Sequence, residues 1–340
     1  MIGVILYHSD LPGAQLGWAG VELFFVISGF LITGILLDLK DDPRYFQIFY
    51  TRRALRILPV YYVVIVVSLL LAFGVGLQVA WVDIPFYLVY VQNYFPQIPS
   101  LFSGGIPLTG HTWTLAVEEQ FYWLWPLVVL VCSPKALRLV VIGCIVAAPL
   151  ARVLLLGLTN NPYVVVATLP AQIDALGVGA ALALVQRMGA PAAIIRRAAT
   201  IAVIAGSTAL VVLVIAGGGL ETFAVSRTWA SAPVNALLLS AFAAVFGGVV
   251  AFTVFGRTPA RALEWPPLVH LGRISYGIYI YNPLAMFVGA TLLAVAQPII
   301  PASPALQAAF GPALTYVFAL ASWRYLETPI LRMRDRLRLG

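Results

Sequence analysis

Charge is what this sequence most lacks. Only 10% of its 340 residues are Asp, Glu, Lys or Arg, while 61% are hydrophobic and the mean hydropathy is +0.96. A water-soluble domain carries about 25% charged residues. A chain with less than half of that cannot cover a water-facing surface, so lipid is its solvent. Cysteine is nearly absent: Cys132 and Cys144 lie in or beside apolar runs without metal-ligand spacing and read as membrane packing residues rather than a disulfide. Histidine is scarce too. His8, His111 and His270 form no cluster, which leaves a metal site without support. A cleavable leader is not expected, because Met1–Leu6 is apolar without a basic start and no small-residue cleavage site follows. There is no internal repeat, heptad or low-complexity tract. Residues 1–340 read as one membrane-embedded domain with no soluble domain attached.

Long apolar runs are what the chain has in abundance. A bilayer core takes roughly 20 apolar helical residues. Nine runs reach or approach that length: Leu16–Leu37, Ile57–Leu77, Trp113–Cys132, Leu137–Leu158, Val164–Val185, Ala198–Gly217, Pro233–Phe255, Leu271–Ala296 and Ala305–Tyr325. Met1–His8 covers only about 12 Å at 1.5 Å per residue, and reads as the outer half of a tenth span whose beginning is missing. The formal charge of +7 could suggest a nucleic-acid partner. Its placement excludes one: all 20 Lys+Arg except Arg152 and Arg227 fall in or at the edge of alternate gaps between runs. The positive-inside rule then gives an all-α integral membrane protein of about ten transmembrane helices, both termini cytoplasmic, in the plasma (inner) membrane. The stretch Gln78–Thr112, between the third and fourth spans, becomes a long extracytoplasmic loop. Its Trp81, Phe86, Tyr87, Tyr90, Tyr94 and Phe95 suit either a headgroup-level belt or a sugar-stacking surface.

Ionisable groups inside apolar runs cost about 2.5–3.5 kcal/mol each on insertion scales, so each is a functional candidate. They are His8, Glu22, Glu118, Glu119, Arg152 and Asp174. On the topology above, His8, Glu22, Glu118 and Arg152 lie at similar depth in the outer half and can converge on one pocket; independent snorkelling or a structural ion pair is the alternative. Thr114, Glu118 and Tyr122 stand four apart and make one polar stripe on a helix. Glu119 points about 100° away from that stripe and reads as an interfacial residue. A second constellation is Arg52, Arg53 and Arg56, where the chain returns to the membrane. It is either a positive-inside anchor or an anion site whose guanidinium forks match phosphate.

These residues carry a resemblance to the acyltransferase-3 family of membrane acyltransferases. The matching stretches, in the family's order, are Gly20-Val-Glu-Leu-Phe-Phe-Val-Ile-Ser-Gly-Phe-Leu-Ile-Thr33, Arg52-Arg-Ala-Leu-Arg-Ile-Leu-Pro59, Trp113-Thr-Leu-Ala-Val-Glu-Glu-Gln-Phe-Tyr122, Ile173-Asp-Ala-Leu-Gly177, Gly272-Arg-Ile-Ser-Tyr-Gly-Ile-Tyr279 and Tyr325-Leu-Glu-Thr-Pro329. The resemblance implies transfer of an acyl group, acetyl by expectation, from acyl-CoA to a hydroxyl of an extracytoplasmic carbohydrate, glycolipid or small molecule. It implies His8 as the base, Glu22 as the acidic residue before the Phe-Phe pair, and Thr114, Glu118 and Tyr122 as the catalytic stripe. Arg52, Arg53 and Arg56 would hold CoA; Arg152, Trp113 and Asp174 would bind substrate; no metal is implied. The family's arginine eleven positions before the histidine falls ahead of Met1. Asn282-Pro283 stands where the family usually has His-Pro, and Thr114 replaces the frequent Ser. The reading from another class is a small-molecule or glycan transporter, which accounts for ten spans and buried charges but not for the pairing of a basic cluster with the Thr-Glu-Tyr stripe.

Overall fold

The computed structural model describes residues 15–97, 105–159, 161, 163–217, 232–256, 263–297 and 303–336. His8 and the partial span Met1–His8 lie outside them. Regular structure among the described residues is all helical. The long helices are α1 (Gly20–Leu39), α2 (Tyr45–Val75), α3 (Trp113–Val131), α4 (Pro134–Thr159), α5 (Leu169–Arg187), α6 (Ala192–Ala216), α7 (Ala232–Phe255), α8 (Ser275–Ala296) and α9 (Pro304–Ser322), followed by the shorter α10 (Thr328–Arg336).

Among the described residues, seven helices are both long and apolar enough to cross a membrane, α1, α2 and α4 to α8 in their apolar extents. Helices α3 and α9 have 19 residues each, about 28 Å at the helical rise. The outer surface is that of a protein dissolved in lipid. On α4, Leu139, Ile142, Val146, Leu150, Leu154 and Leu158 recur every three or four positions and all are exposed, while the buried positions Val141, Ala148 and Arg152 face inward. In water the polarity of such a helix would be reversed. The seven apolar helices and this surface together make the chain a multi-pass membrane protein.

Packing inside the bundle relies on small residues, since lipid gives helices no hydrophobic reason to associate. Where α1 crosses α5, a Cβ on Gly29 would run into the carbonyl oxygen of Leu176, and one on Gly179 into the carbonyl oxygen of Val26. Two backbones therefore touch directly, which only glycine permits. The pair α6–α7 meets in a similar way at Gly206 and Gly248, and α8 lies along α9. The segment before α3 contains a short helix, Ile84–Leu88, between 3-10 turns Trp81–Asp83 and Gln92–Gln97. It is tied to the bundle: Gln120 Nε2 donates to the Tyr90 carbonyl and to Asn93 Oδ1, both at 2.8 Å, and Asn93 Nδ2 donates to the Ala167 carbonyl at 2.7 Å.

The structure moves several expected boundaries. The third span, expected from Ile57, belongs to a 31-residue helix that begins at Tyr45. Hydropathy finds where a helix becomes apolar, not where it starts. The run expected as Val164–Val185 is broken at Thr168, which is extended at φ −109° and ψ 148°. Pro170, lacking an N–H, suits the first turn of a new helix and not the interior of an old one. The run expected from Leu271 splits at Ile274 into the separate helix Pro266–Arg273 and α8. The last run ends in a π-helical turn, Trp323–Glu327.

Candidate active site

Three polar groups meet in the middle of α3. Tyr122 lies nine residues from each end of Trp113–Val131, and its hydroxyl is 2.6 Å from Ser28 Oγ of α1. The Glu118 carboxylate, one turn earlier on the same face, has the Ser28 and Tyr122 hydroxyls beside it. It remains partly exposed, whereas Tyr122 is buried. Over this cluster stands Arg53 of α2, its guanidinium carbon 5.4 Å from the Tyr122 ring centre and 6.0 Å from that of Phe49. Arg53 and Arg56 both act electrostatically on Glu118. The basic cluster was expected at the membrane edge. Because α2 runs antiparallel beside α3, with Tyr45 bonded to the Pro126 carbonyl and Arg53 at Tyr122, it reaches the mid-depth of α3 instead. A cation over the face of a phenol is attracted by the ring quadrupole, and here it sits beside a carboxylate as well.

Thr114, the first member of the stripe, makes different contacts. Its Oγ1 is 2.5 Å from the Tyr279 hydroxyl, and the His111 carbonyl accepts from that pair. Tyr276, three residues before Tyr279, donates to the Ile57 carbonyl at 2.9 Å. The Ser-Tyr-Gly segment of α8 therefore binds the Thr-Glu-Tyr helix with one tyrosine and the arginine helix with the other. Trp113 packs its ring edge-on to Phe25 at 6.2 Å. Asn282, where the resemblance expects histidine, is buried with neither amide atom partnered among the described residues.

A second polar cluster joins α1, α4, α5 and α7. Arg152 is wholly buried and donates from Nε to the Ala171 carbonyl (2.6 Å), from Nη1 to the Ala236 carbonyl (2.7 Å) and Ser240 Oγ (2.8 Å), and from Nη2 to Asp174 Oδ1 (2.5 Å). Ser240 Oγ donates to the other Asp174 oxygen at 2.6 Å. Glu22 of α1 lies within electrostatic reach of both Arg152 and Asp174 and beside Gln172, and its Oε2 has no partner among the described residues. Of the four groups expected in one pocket, Glu22 and Arg152 share this cluster. Glu118 belongs to the first cluster, and His8 lies outside the described residues. Arg152 and Asp174 spend their hydrogen-bonding capacity chiefly on one another and on groups of α5 and α7.

Several residues were missed by sequence reasoning. Ser28, Tyr279, Gln172 and Ser240 are ordinary polar residues in apolar helices, and their only signal was that a polar group in lipid needs a partner. Glu119 is a correction: read as interfacial, it is buried, and its Oε1 has no partner among the described residues.

The clusters lie in a helical membrane bundle with a carboxylate, hydroxyls and a guanidinium assembled at its centre, a set suited to group transfer between polar substrates. The chain belongs to the family defined by the acyltransferase domain, which it matches over residues 1–324. It is similar to the peptidoglycan O-acetyltransferase OatA of Listeria monocytogenes, with 30% identity over 348 residues covering 97% of this chain and 54% of that protein. It is also similar to the O-acetyltransferase OatA of Staphylococcus aureus, with 27% identity over 349 residues covering 97% of this chain and 55% of that protein. The chain spans about half the length of these curated relatives. No solved structure matches it.

Proposed function

We propose that this chain is a membrane O-acyltransferase that moves an acetyl group from acetyl-CoA at the cytoplasmic face to a hydroxyl of an extracytoplasmic carbohydrate, of the peptidoglycan type by the names of its relatives. The observation that carries this reading is Arg53 standing over Tyr122 beside Glu118. A cationic grip for a polyphosphate donor and a carboxylate cluster for hydroxyl chemistry occupy one neighbourhood, which a positive-inside anchor alone would not require.

In this reading Arg52, Arg53 and Arg56 bind the phosphates of CoA. The acceptor oxygen attacks the thioester carbon, and the carbon–sulfur bond breaks. His8 takes the hydroxyl proton and returns it to the departing thiolate, leaving an ester and free CoA. An imidazole with an ordinary pKa near 6.5 suits that role. Glu118 orients the base and steadies its charged form, Tyr122 and Ser28 hold Glu118, and the Arg152–Asp174 pair fixes Glu22 and the helix that carries it. Trp113 and the Thr114–Tyr279 pair line the approach. The topology that goes with the mechanism is ten crossings, with Gln78–Thr112 outside and both termini in the cytoplasm of a plasma membrane.

The deciding experiment supplies the purified protein in nanodiscs with acetyl-CoA labelled in the acetyl group and a soluble oligomer of N-acetylglucosamine. Label appearing as a base-labile ester on the glycan supports the proposal. Movement of unmodified glycan into proteoliposomes, with no ester formed, would overturn it in favour of a transporter.

A further inference from the structure

Glu119 and Tyr90 present two buried polar atoms that nothing among the described residues satisfies, Glu119 Oε1 and the Tyr90 hydroxyl. The residues are 8% and 3% exposed. They lie within electrostatic reach of each other. The other phenols near Glu119 cannot serve it, because Tyr62 gives its proton to the Leu88 carbonyl and Tyr276 gives its own to the Ile57 carbonyl, each at 2.9 Å. Buried polar atoms in native proteins are nearly all partnered, and an exception marks strain, function or a bound molecule.

Tyr90 is also held with care. Its φ is +51°, a left-handed conformation that a residue with a bulky side chain rarely adopts. Its ring stacks on Tyr61 with centroids 4.3 Å apart, and its carbonyl accepts from Gln120, the neighbour of Glu119. Burial pushes the phenol above its ordinary pKa, so it remains a donor throughout the physiological range. One acceptor atom and one donor atom, each unpartnered among the described residues, therefore lie within electrostatic reach of each other, next in sequence to Glu118. The chemical complement of that pair is an alcohol, which donates one hydrogen bond and accepts another.

We propose that Glu119 Oε1 and the Tyr90 hydroxyl form the binding site for a hydroxyl group of the acceptor carbohydrate, the alcohol donating to Glu119 and accepting from Tyr90. This rests on the reading of the chain as an O-acyltransferase and adds the residues that hold the acceptor. Both belong to elements expected on the outer side: Tyr90 to the Gln78–Thr112 segment, Glu119 to the second turn of α3.

The test uses Tyr90→Phe and Glu119→Gln, both close to isosteric, in nanodiscs. Each should raise the KM for a soluble tetramer of N-acetylglucosamine by about 3- to 10-fold, the effect of one lost hydrogen bond, with the KM for acetyl-CoA within twofold of wild type. Direct binding of the same tetramer, followed by tryptophan fluorescence without any donor, should weaken by the same factor. An unchanged acceptor KM and unchanged binding in both variants would mean a structural water only and would overturn the proposal. Equal rises in the two KM values would assign the residues to folding and overturn it too. The reading beneath it fails differently. Tetramer binding that depends on Tyr90 and Glu119, with no ester formed by the wild type, would keep the site and remove the transferase.

Discussion

Replacing Arg152 with methionine would leave Asp174 buried, charged and without its counter-ion. Four donor contacts would vanish at once, to Asp174, Ser240 and the carbonyls of Ala171 and Ala236, which belong to α5 and α7. Methionine approximates the volume of the arginine stem but supplies no donor. Breaking a buried pair by removing one partner costs about 3–5 kcal/mol, most of it the uncompensated charge. Removing both partners costs much less, because the desolvation of two ions disappears along with their attraction. Arg152→Met should therefore lower stability by about 3–5 kcal/mol, and Arg152→Met/Asp174→Leu should recover at least about 2 kcal/mol of that loss. Equilibrium unfolding in mixed micelles with increasing SDS, run as a double-mutant cycle, measures both quantities. A single variant within about 1 kcal/mol of wild type, or a double variant no more stable than the single, would refute the reasoning. In either case Arg152 would not be the internally satisfied clamp that its bonds describe.

Other outcomes follow from the same geometry. Glu118→Gln should cut acetyl transfer by about 10²–10⁴-fold, the range for loss of general acid–base assistance, while the unfolding midpoint stays near wild type; a variant with more than a tenth of wild-type activity would remove Glu118 from the chemistry. Arg53→Ala should raise the KM for acetyl-CoA about tenfold or more, as the loss of a charge-assisted hydrogen bond does, and leave the acceptor KM alone. Unaltered donor kinetics would reduce the arginine cluster to a topology anchor. Gly179→Val should sharply lower the yield of folded protein, since its side chain meets the Val26 carbonyl and the Phe30 amide of α1; normal yield in detergent would mean that the α1–α5 crossing is looser than described.

The membrane class was legible in composition, and the central stripe in spacing. Glu118 and Tyr122 do share a face and do meet a partner. What a single sequence does not carry is depth. The basic cluster was read at the membrane edge because charge interrupts hydropathy, yet α2 continues through it from Tyr45 and packs Arg53 against the middle of α3. Nor does a helical wheel say what stands opposite each spoke. It set Glu119 about 100° from Glu118 and left that direction to the interface. The direction is in fact filled by Tyr90 and Tyr276, brought there by a loop and by a helix more than 150 residues away in sequence. Helix breaks at Thr168 and Ile274 were hidden inside continuous apolar runs, where only Pro170 gave a local sign of the first.

Helix α1 behaves as a yardstick. It carries Glu22 toward one cluster and Ser28 toward the other, six residues apart, or about 9 Å along its axis. At Gly29 its backbone rests directly on that of α5, with no side chain between them to yield. A helix gripped in this way cannot slide by a turn without driving Cβ atoms into carbonyls. The separation between the two clusters is then a fixed length of the machine, the same before and after each turnover. Whatever opens to admit the proposed substrates must be some other moving part. The α8–α9 pair and the tethered segment before α3 are where a timed, substrate-dependent change in hydrogen exchange should be sought, with α1 as the silent reference.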